Sequence, residues 1–219
     1  MSRELDIIDR YEFQFTRNMF RNRNLPTYRE FVYPYWKDKA PLIYLELGVY
    51  EGQSLIWMLQ HILGHPDSRA VGIDPWLMTT KRTSDDMEIV RQHAFWNIQK
   101  WDFFTDSVLG FKKCQLLRAN SAEVLPMMNR KGGAFGISKN TLDICLIDAD
   151  HNALAVLNDA RLVFPLMKIG GWIIFDDVVN DIPKKDHVEN GLRMFLEEIG
   201  DSTKLVIKHR YVEIYERIK

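Results

Sequence analysis

The sequence is poor in cysteine and has no long apolar run. Its 219 residues include two cysteines, Cys114 and Cys145, and neither has a second cysteine or a histidine at metal-binding spacing. We therefore expect both to be core residues of a cytoplasmic protein, because free thiols persist in reducing compartments. No segment reaches the roughly 18 apolar residues that a membrane helix needs, and the opening MSRELDIIDR lacks the apolar run of a signal peptide.

An excess of charge of one sign is also missing. The 29 lysine and arginine residues nearly balance the 30 aspartate and glutamate residues, which leaves a formal net charge of −1. A near-neutral chain has no broad attraction to nucleic acid or to anionic lipid, so we expect neither as a partner. With 46% hydrophobic and 27% charged residues, the composition is that of an ordinary globular protein of one domain's length.

Short apolar runs alternate with helical patterns from residue 41 onward. The runs are PLIYLELGVY, RAVGID, CQLLRA, LDICLID and GWIIFDD. This order predicts an α/β fold with a single doubly wound, mostly parallel sheet, helices on both faces, and ligands at the carboxyl ends of the strands. The final segment, KLVIKHRYVEIYERI, holds two more strand-like runs, and we predict that they form an antiparallel pair at one edge of the sheet.

The start of the chain has a different texture from the rest. A charged helical pattern is followed by an aromatic-rich stretch that contains Tyr28, Phe31, Tyr33, Tyr35 and Trp36. We predict that residues 1–40 form a helical appendage packed on the sheet, and that residues 41–219 form the main domain.

The first strand runs into a turn with the spacing Glu-x-Gly-x-x-x-Gly, from Glu46 through Gly48 to Gly52. The glycines permit a tight strand-to-helix turn and close approach of a ligand to the backbone. A carboxylate at this position repels the phosphates of a dinucleotide and attracts a cation. Asp74 ends the next strand, where it can accept hydrogen bonds from both hydroxyls of a ribose. The alternative is that the glycines only form a loop and Asp74 only caps a helix.

These features resemble the class I S-adenosylmethionine-dependent methyltransferases, over about residues 41–180. The resemblance implies a Rossmann-like fold, S-adenosylmethionine as cofactor, and a loop after the third strand, within CQLLRANSAEVL, that covers the adenine. Ser121 in that loop is equally a candidate N-cap of the next helix. The cofactor-binding residues that we expect are Glu46, Gly48, Tyr50, Gly52, Ser54, Asp74, Asn120, Ser121 and Asp148.

Acidic residues end the fourth and fifth strands. Asp148, Asp150 and His151 follow the fourth strand, while Asp176 and Asp177 follow the fifth. Several carboxylates close together either have a cation among them or take up protons in part, and oxygen ligands suit a hard ion such as Mg²⁺. The alternative is a solvated polar loop and a strand end without a metal.

The segments IDADH and GGWIIFDD resemble those of the metal-dependent O-methyltransferases that act on small molecules and on sugars. The resemblance implies that Asp148, Asp176 and Asp177 bind the metal, and that His151 or Asp150 is the catalytic base. We favour His151, because imidazole titrates near the working pH. An alcohol needs such help, since its oxygen is a poor nucleophile until its proton is lost or a metal coordinates it.

The acceptor is predicted only as a small molecule or a sugar. Aromatic residues between strands could line its pocket, although such residues more often fill a core. They are Trp76, Trp96, Trp101, Phe103 and Phe104, with Trp76 as the best pocket candidate, and a lid could include Lys184, Lys185 and Asp186. A homo-oligomer is compatible with the sequence. Competing hypotheses are a metal-independent methyltransferase and a nucleotide-binding dehydrogenase or binding module on the same sheet.

Overall fold

A computed structural model describes residues 13–78, 82–109, 113–178 and 187–219. For residues 102–109 it describes the backbone alone. Across these ranges the chain forms one seven-stranded sheet with helices on both faces. None of the helices in the ranges has the length and apolar content that crossing a bilayer requires.

The sheet has the order β3-β2-β1-β4-β5-β7-β6. Its strands are β1 (Ile43–Leu47), β2 (Arg69–Ile73), β3 (Cys114–Leu117), β4 (Leu142–Ile147), β5 (Met167–Phe175), β6 (Thr203–His209) and β7 (Val212–Arg217). Strands β1 to β5 are parallel, whereas β7 runs antiparallel to both β5 and β6. Only Arg210 and Tyr211 connect β6 to β7, and so short a connection permits only antiparallel pairing. The predicted fold class and the antiparallel C-terminal pair are confirmed.

The helices divide between two cores, one on each face of the sheet. They are α1 (Met19–Arg23), α2 (Leu25–Thr27), a π turn (Tyr28–Val32), α3 (Tyr33–Trp36), α4 (Gln53–His61), α5 (Ser84–Leu109), α6 (Ser121–Met128), α7 (Ala153–Val163) and α8 (Val188–Ile199). The N-terminal helices, α4 and α5 pack on one face, and α6, α7 and α8 pack on the other. Every residue of the central strand β4 is buried, as expected for a parallel strand covered on both sides.

The N-terminal helices are built into the first of these cores by aromatic contacts. Tyr28 packs edge-on against Trp57 of α4, with 5.4 Å between ring centroids, and Tyr35 stacks on Trp172 of β5 at 4.1 Å. The aromatic-rich segment therefore packs on the sheet as expected. The domain boundary at residue 40 stays a prediction.

The strand order reverses between β1 and β4, and there the two strand ends approach closely. The amide nitrogen of Asp148 donates to the carbonyl oxygen of Leu47 at 2.9 Å. A Cβ atom on Gly48 would lie 2.0 Å from the carbonyl oxygen of Asp148, so only glycine fits there. In open α/β sheets such a reversal opens the crevice in which ligands bind.

Helices α7 and α8 pack through a glycine, which generates a prediction for Gly191→Ala. Alanine normally stabilises a helix interior by about 1 kcal/mol relative to glycine. Here a Cβ atom would lie 2.3 Å from the carbonyl oxygen of Ala153, so we expect the free energy of unfolding to fall by about 2 kcal/mol or more. Urea unfolding measures it, with the exposed Glu197→Ala on α8 as a control that changes little. A stabilised Gly191→Ala protein would contradict the close helix contact.

Candidate active site

Three non-glycine residues with positive φ lie at the carboxyl ends of the parallel strands. Tyr50 after β1, Trp76 after β2 and Asp177 after β5 all have positive φ, at 53°, 45° and 54°. Gly48 and Gly52 have φ of 87° and 84°, in the left-handed region that glycine adopts without penalty. Non-glycine residues in this region are uncommon and cluster at functional sites. The strand ends at the sheet reversal are therefore the candidate site.

Glu46 is a fully buried carboxylate on β1. Its Oε2 accepts a hydrogen bond from the Tyr44 hydroxyl at 2.6 Å, and its Oε1 accepts one from the Ser54 hydroxyl at 2.5 Å. Burial raises the pKa of Glu46 to about 7, against the opposing effect of both hydrogen bonds. No lysine, arginine or histidine within the described ranges forms an ion pair with this carboxylate. The buried Glu46 is thus hydrogen-bonded to the half-buried Ser54, a predicted cofactor residue, and to the buried Tyr44, which the sequence analysis did not single out.

Asp74 holds the turn that follows β1. Its Oδ2 accepts from the Tyr50 amide at 2.9 Å, and its Oδ1 accepts from the Trp76 amide at 2.7 Å. The Trp76 indole in turn donates to the Tyr50 carbonyl oxygen at 2.9 Å. Burial raises the pKa of Asp74 above its usual range. Helix α5 begins only at Ser84, so the alternative reading of Asp74 as its cap is wrong.

The expected adenine loop follows β3. Asn120 is the N-cap of α6, and its backbone nitrogen donates a hydrogen bond to Oε2 of Glu123 at 3.4 Å. Ser121, the N-cap candidate from sequence, is instead the first helical residue, and its hydroxyl donates to Oδ1 of Asp159 on α7 at 2.5 Å. Burial raises the pKa of Asp159 to about 6. The loop is thereby tied to α7.

The acids that follow β4 and β5 come together with His151. The Nε2 atom of His151 lies 3.8 Å from Oδ1 of Asp148 and 3.6 Å from Oδ2 of Asp177. The Asp148 carboxylate raises the pKa of His151, while burial raises the pKa of Asp148 to about 6. Asp150 is exposed and accepts a hydrogen bond from the amide of Asn152, the N-cap of α7. His151 is therefore the candidate base that contacts the acid cluster, which we define as Asp148, Asp176 and Asp177.

Two residues from the N-terminal helical segment contact the acid cluster. The Arg23 guanidinium lies 2.6 Å from Oδ1 of Asp177, and the Asn24 amide group donates to Oδ2 of Asp176 at 2.7 Å. Sequence reasoning missed both residues. The only available signal was the prediction that the aromatic segment packs on the sheet, because 152 positions separate Asn24 from Asp176.

The acid cluster has the chemistry of a hard-cation site. Oδ1 of the buried Asp176 and Oδ1 of the buried Asn24 have no hydrogen-bond partner among the described residues. Burial, with Asp148 and Asp177 nearby, raises the pKa of Asp176 well above its usual range. Buried oxygen acceptors and crowded carboxylates suit Mg²⁺. Within the described ranges, however, no three His, Cys, Asp or Glu side chains are arranged to hold a metal ion, so the ion stays a prediction.

The aromatic residues predicted to line an acceptor pocket differ in burial. Trp76 and Trp101 are buried in the core, so Trp76 as the best pocket candidate is wrong, whereas Trp96 is about half exposed on α5. The side chains of Phe103 and Phe104 lie outside the described residues. The lid candidates Lys184, Lys185 and Asp186 lie outside them as well.

The family of the chain follows from a match to a methyltransferase domain family over residues 45–178. These residues include the end of β1 and all of β2, β3, β4 and β5. The chain belongs to this family. The resemblance to class I methyltransferases is confirmed, and the dehydrogenase alternative loses its support.

Individual relatives are distant. An uncharacterized protein of Acanthamoeba polyphaga mimivirus is 27% identical over 140 residues, which cover 64% of this chain and 53% of that protein. The match thus spans about half the length of this curated relative.

Two solved structures show the same fold. An O-methyltransferase from Bacillus cereus in complex with SAH is 19% identical, with a TM-score of 0.59 and coverage of 89% of this chain and 81% of that one. An O-methyltransferase from Streptomyces achromogenes, involved in tomaymycin synthesis and in complex with SAM, is 17% identical, with a TM-score of 0.59 and coverage of 90% and 81%.

The buried Glu46 carboxyl generates a prediction for stability against pH. Its folded-state pKa lies above its ordinary value of 4.5, so the folded protein holds the proton more tightly than the unfolded chain. The stability that this proton contributes is present below about pH 4.5 and is lost as the pH rises through about 7. Glutamine at this position does not titrate. In the cofactor-free protein, the free energy of unfolding of Glu46→Gln relative to that of the wild type should therefore rise by up to about 3 kcal/mol from about pH 5 to about pH 8.

Urea unfolding at both pH values measures this gain. Glu197→Gln, an exposed substitution on α8, is the control and should follow the wild type at each pH. A Glu46→Gln advantage that is the same at both pH values would contradict the raised pKa.

Proposed function

We propose that the protein transfers the methyl group of S-adenosylmethionine to a hydroxyl oxygen of a small molecule or sugar, with help from a divalent cation. The observation that carries this proposal is the position of the acid cluster and His151, at the sheet reversal beside the Glu46 turn. The family membership supports methyl transfer. The O-methyltransferase activity named for the two solved relatives supports oxygen as the acceptor atom.

The residues after β1 and β2 fit the proposed cofactor. The Asp74 carboxylate accepts hydrogen bonds from the Tyr50 and Trp76 amides, and a carboxylate has about four lone-pair sites, so capacity is left for ribose hydroxyls. The buried Glu46 carboxylate favours a positively charged ligand nearby and disfavours a phosphate. When bound, S-adenosylmethionine supplies an electrophilic methyl group on its sulfonium. Gly48, Tyr50 and Gly52 shape the backbone against which the cofactor would lie, and Asn120 and Ser121 would border its adenine.

His151 fits the role of base toward the acceptor hydroxyl. The His151 imidazole would accept the proton of the acceptor hydroxyl, and the Asp148 and Asp177 carboxylates, which lie 3.8 and 3.6 Å from its Nε2 atom, would stabilise the resulting imidazolium. Asp148, Asp176 and Asp177 would hold the divalent cation, which supplies a Lewis acid that makes the hydroxyl more acidic. The acceptor's identity, a homo-oligomer and a cytoplasmic location remain predictions.

Cofactor binding tests the first half of the proposal. We expect Asp74→Ala to weaken S-adenosylmethionine binding by about 100-fold, because two hydrogen bonds to a charged acceptor are lost. Calorimetric titration with and without Mg²⁺ measures the affinity. Asp67→Ala, an exposed aspartate before β2, is the matched control. Failure of the wild-type protein to bind the cofactor would refute this part of the proposal and favour a silent binding module.

Metal removal tests the second half. With an acceptor found by screening hydroxyl compounds, we expect EDTA to abolish turnover and excess Mg²⁺ to restore it. Calorimetry in EDTA should show cofactor binding unchanged. Full turnover in EDTA would instead select the metal-independent alternative, which the contact between Arg23 and Asp177 favours.

The two candidate bases are separated by a pair of variants. We expect His151→Asn to lower kcat by about 10²- to 10⁴-fold, because the proton acceptor is lost. Asp150→Asn should change kcat far less, since Asp150 is exposed and contacts the start of α7. Steady-state kinetics on the same acceptor measures both, and the reverse ranking would assign the base to Asp150.

A further inference from the structure

Asn97 is a fully buried polar residue of α5 that has no part in the proposed chemistry. Its Oδ1 accepts a hydrogen bond from the Gln14 amide at 2.7 Å, and its Nδ2 donates to the carbonyl oxygens of Gln14 and Glu51, both at 3.0 Å. The side chain thus pairs with Gln14 as a neighbouring β-strand would. Asn97 therefore joins residues 13–18, which we call the N-terminal strap, to residues 48–52, which we call the β1 turn.

Glu51 is a buried carboxylate within the β1 turn, and the strap supplies one of its hydrogen bonds. Its Oε2 accepts from the Thr16 amide at 2.9 Å, and its Oε1 lies 3.0 Å from Nδ1 of His93. His93 and Asn97 are four residues apart on α5, so they lie on the same face of the helix. If the strap left the turn, the buried carboxylate would lose a donor, which is unfavourable. Glu51 therefore favours the docked strap.

The strap also contacts the residue that follows the β1 turn. Gln53 is the first residue of α4, and its side-chain amide donates to the carbonyl oxygen of Arg17. Phe13 and Phe15 pack against each other, with 5.7 Å between ring centroids, and against the core on this face of the sheet. The strap is thus held by the end of the turn, the start of α4 and α5 together.

The backbone of the β1 turn needs such support. Tyr50 has a φ of 53°, which is unfavourable for a residue with a side chain and persists only where neighbours hold it. On the β2 side, Asp74 accepts from the Tyr50 amide. On the α5 side, Asn97 donates to the next carbonyl oxygen, that of Glu51. A turn held from both sides pays a smaller ordering cost when a ligand binds against it.

We propose that Asn97 is a positioning residue for the cofactor, because it couples docking of the N-terminal strap to the conformation of the β1 turn. The docked strap raises the affinity for S-adenosylmethionine, and bound S-adenosylmethionine stabilises the docked strap by the same factor. This inference rests on the cofactor binding of the proposed function, and it requires no metal ion.

Calorimetric titration of the full-length protein with S-adenosylmethionine tests the coupling. Thr16→Pro removes the amide that donates to Glu51, and Gln14→Pro removes the amide that donates to Asn97. Both residues are exposed, so these changes leave the core in place. We expect each proline variant to bind the cofactor about tenfold more weakly. Thr16→Ala and Gln14→Ala keep the amides and should bind like the wild type.

A variant of Asn97 itself extends the test. Asn97→Leu removes all three hydrogen bonds at similar volume, and we expect it to weaken cofactor binding by about tenfold or more. Circular dichroism checks that each variant is folded. If Asn97→Leu does not fold, the two proline variants decide the question.

Amide hydrogen exchange, followed by nuclear magnetic resonance on the wild type, measures the reciprocal effect. Saturating S-adenosylmethionine should slow exchange of the Gln14 and Thr16 amides by about the same tenfold factor. The Ile218 amide, which donates to the Ser202 carbonyl oxygen, is the control and should not change. A purely structural role of Asn97 would leave all three amides insensitive to the cofactor.

The outcomes separate the inference from the function on which it rests. Wild-type affinity in both proline variants, or strap amides whose exchange the cofactor leaves unchanged, overturns the coupling and leaves the methyltransferase function intact. Equal weakening in the proline and alanine variants also overturns it, since the side chains and not the amides would then matter. Failure of the folded wild type to bind S-adenosylmethionine overturns the coupling together with the proposed function.

Discussion

Gly48 lies so close to the carbonyl oxygen of Asp148 that no other residue fits at that position. This contact brings the carboxyl ends of β1 and β4 together at the point where the strand order reverses. The turn after Glu46 and the acid cluster consequently lie at the same edge of the sheet, although about a hundred residues separate them in the chain. Methyl transfer needs this proximity, because the acceptor atom must meet the cofactor's methyl group within a few ångströms.

Several buried carboxyl groups lie at this edge of the sheet. Burial raises the pKa values of Glu46, Asp176 and Asp148. A cluster of this kind is stable only when protons or cations balance it. Among the described residues, Arg23 from the N-terminal helices and His151 from the loop before α7 are basic groups that contact the cluster. The N-terminal segment is thus part of the electrostatics of the site as well as part of the core beneath it.

The fold could be predicted from the sequence because its signals are local. Nearly continuous apolar runs such as LDICLID indicate strands covered on both faces. The short Arg210–Tyr211 connection leaves only an antiparallel hairpin. The acids at the strand ends could be grouped for the same reason, since parallel strands place their carboxyl ends at one edge of the sheet. Trp76 was misjudged because an aromatic residue after a strand has the same local pattern whether it lines a pocket or packs in a core.

By itself, the sequence determined the α/β class, the strand-end location of the site and the acidic character of its rim, because each depends on residue type and short spacing. Only the tertiary structure decided which groups balance those acids. Arg23 and Asn24 contact the cluster because the N-terminal helices pack on the sheet. His151 rather than Asp150 contacts it, and Asp150 instead accepts a hydrogen bond from the Asn152 amide before α7. Such contacts join residues that are distant along the chain or oriented by a turn, and no local pattern encodes them.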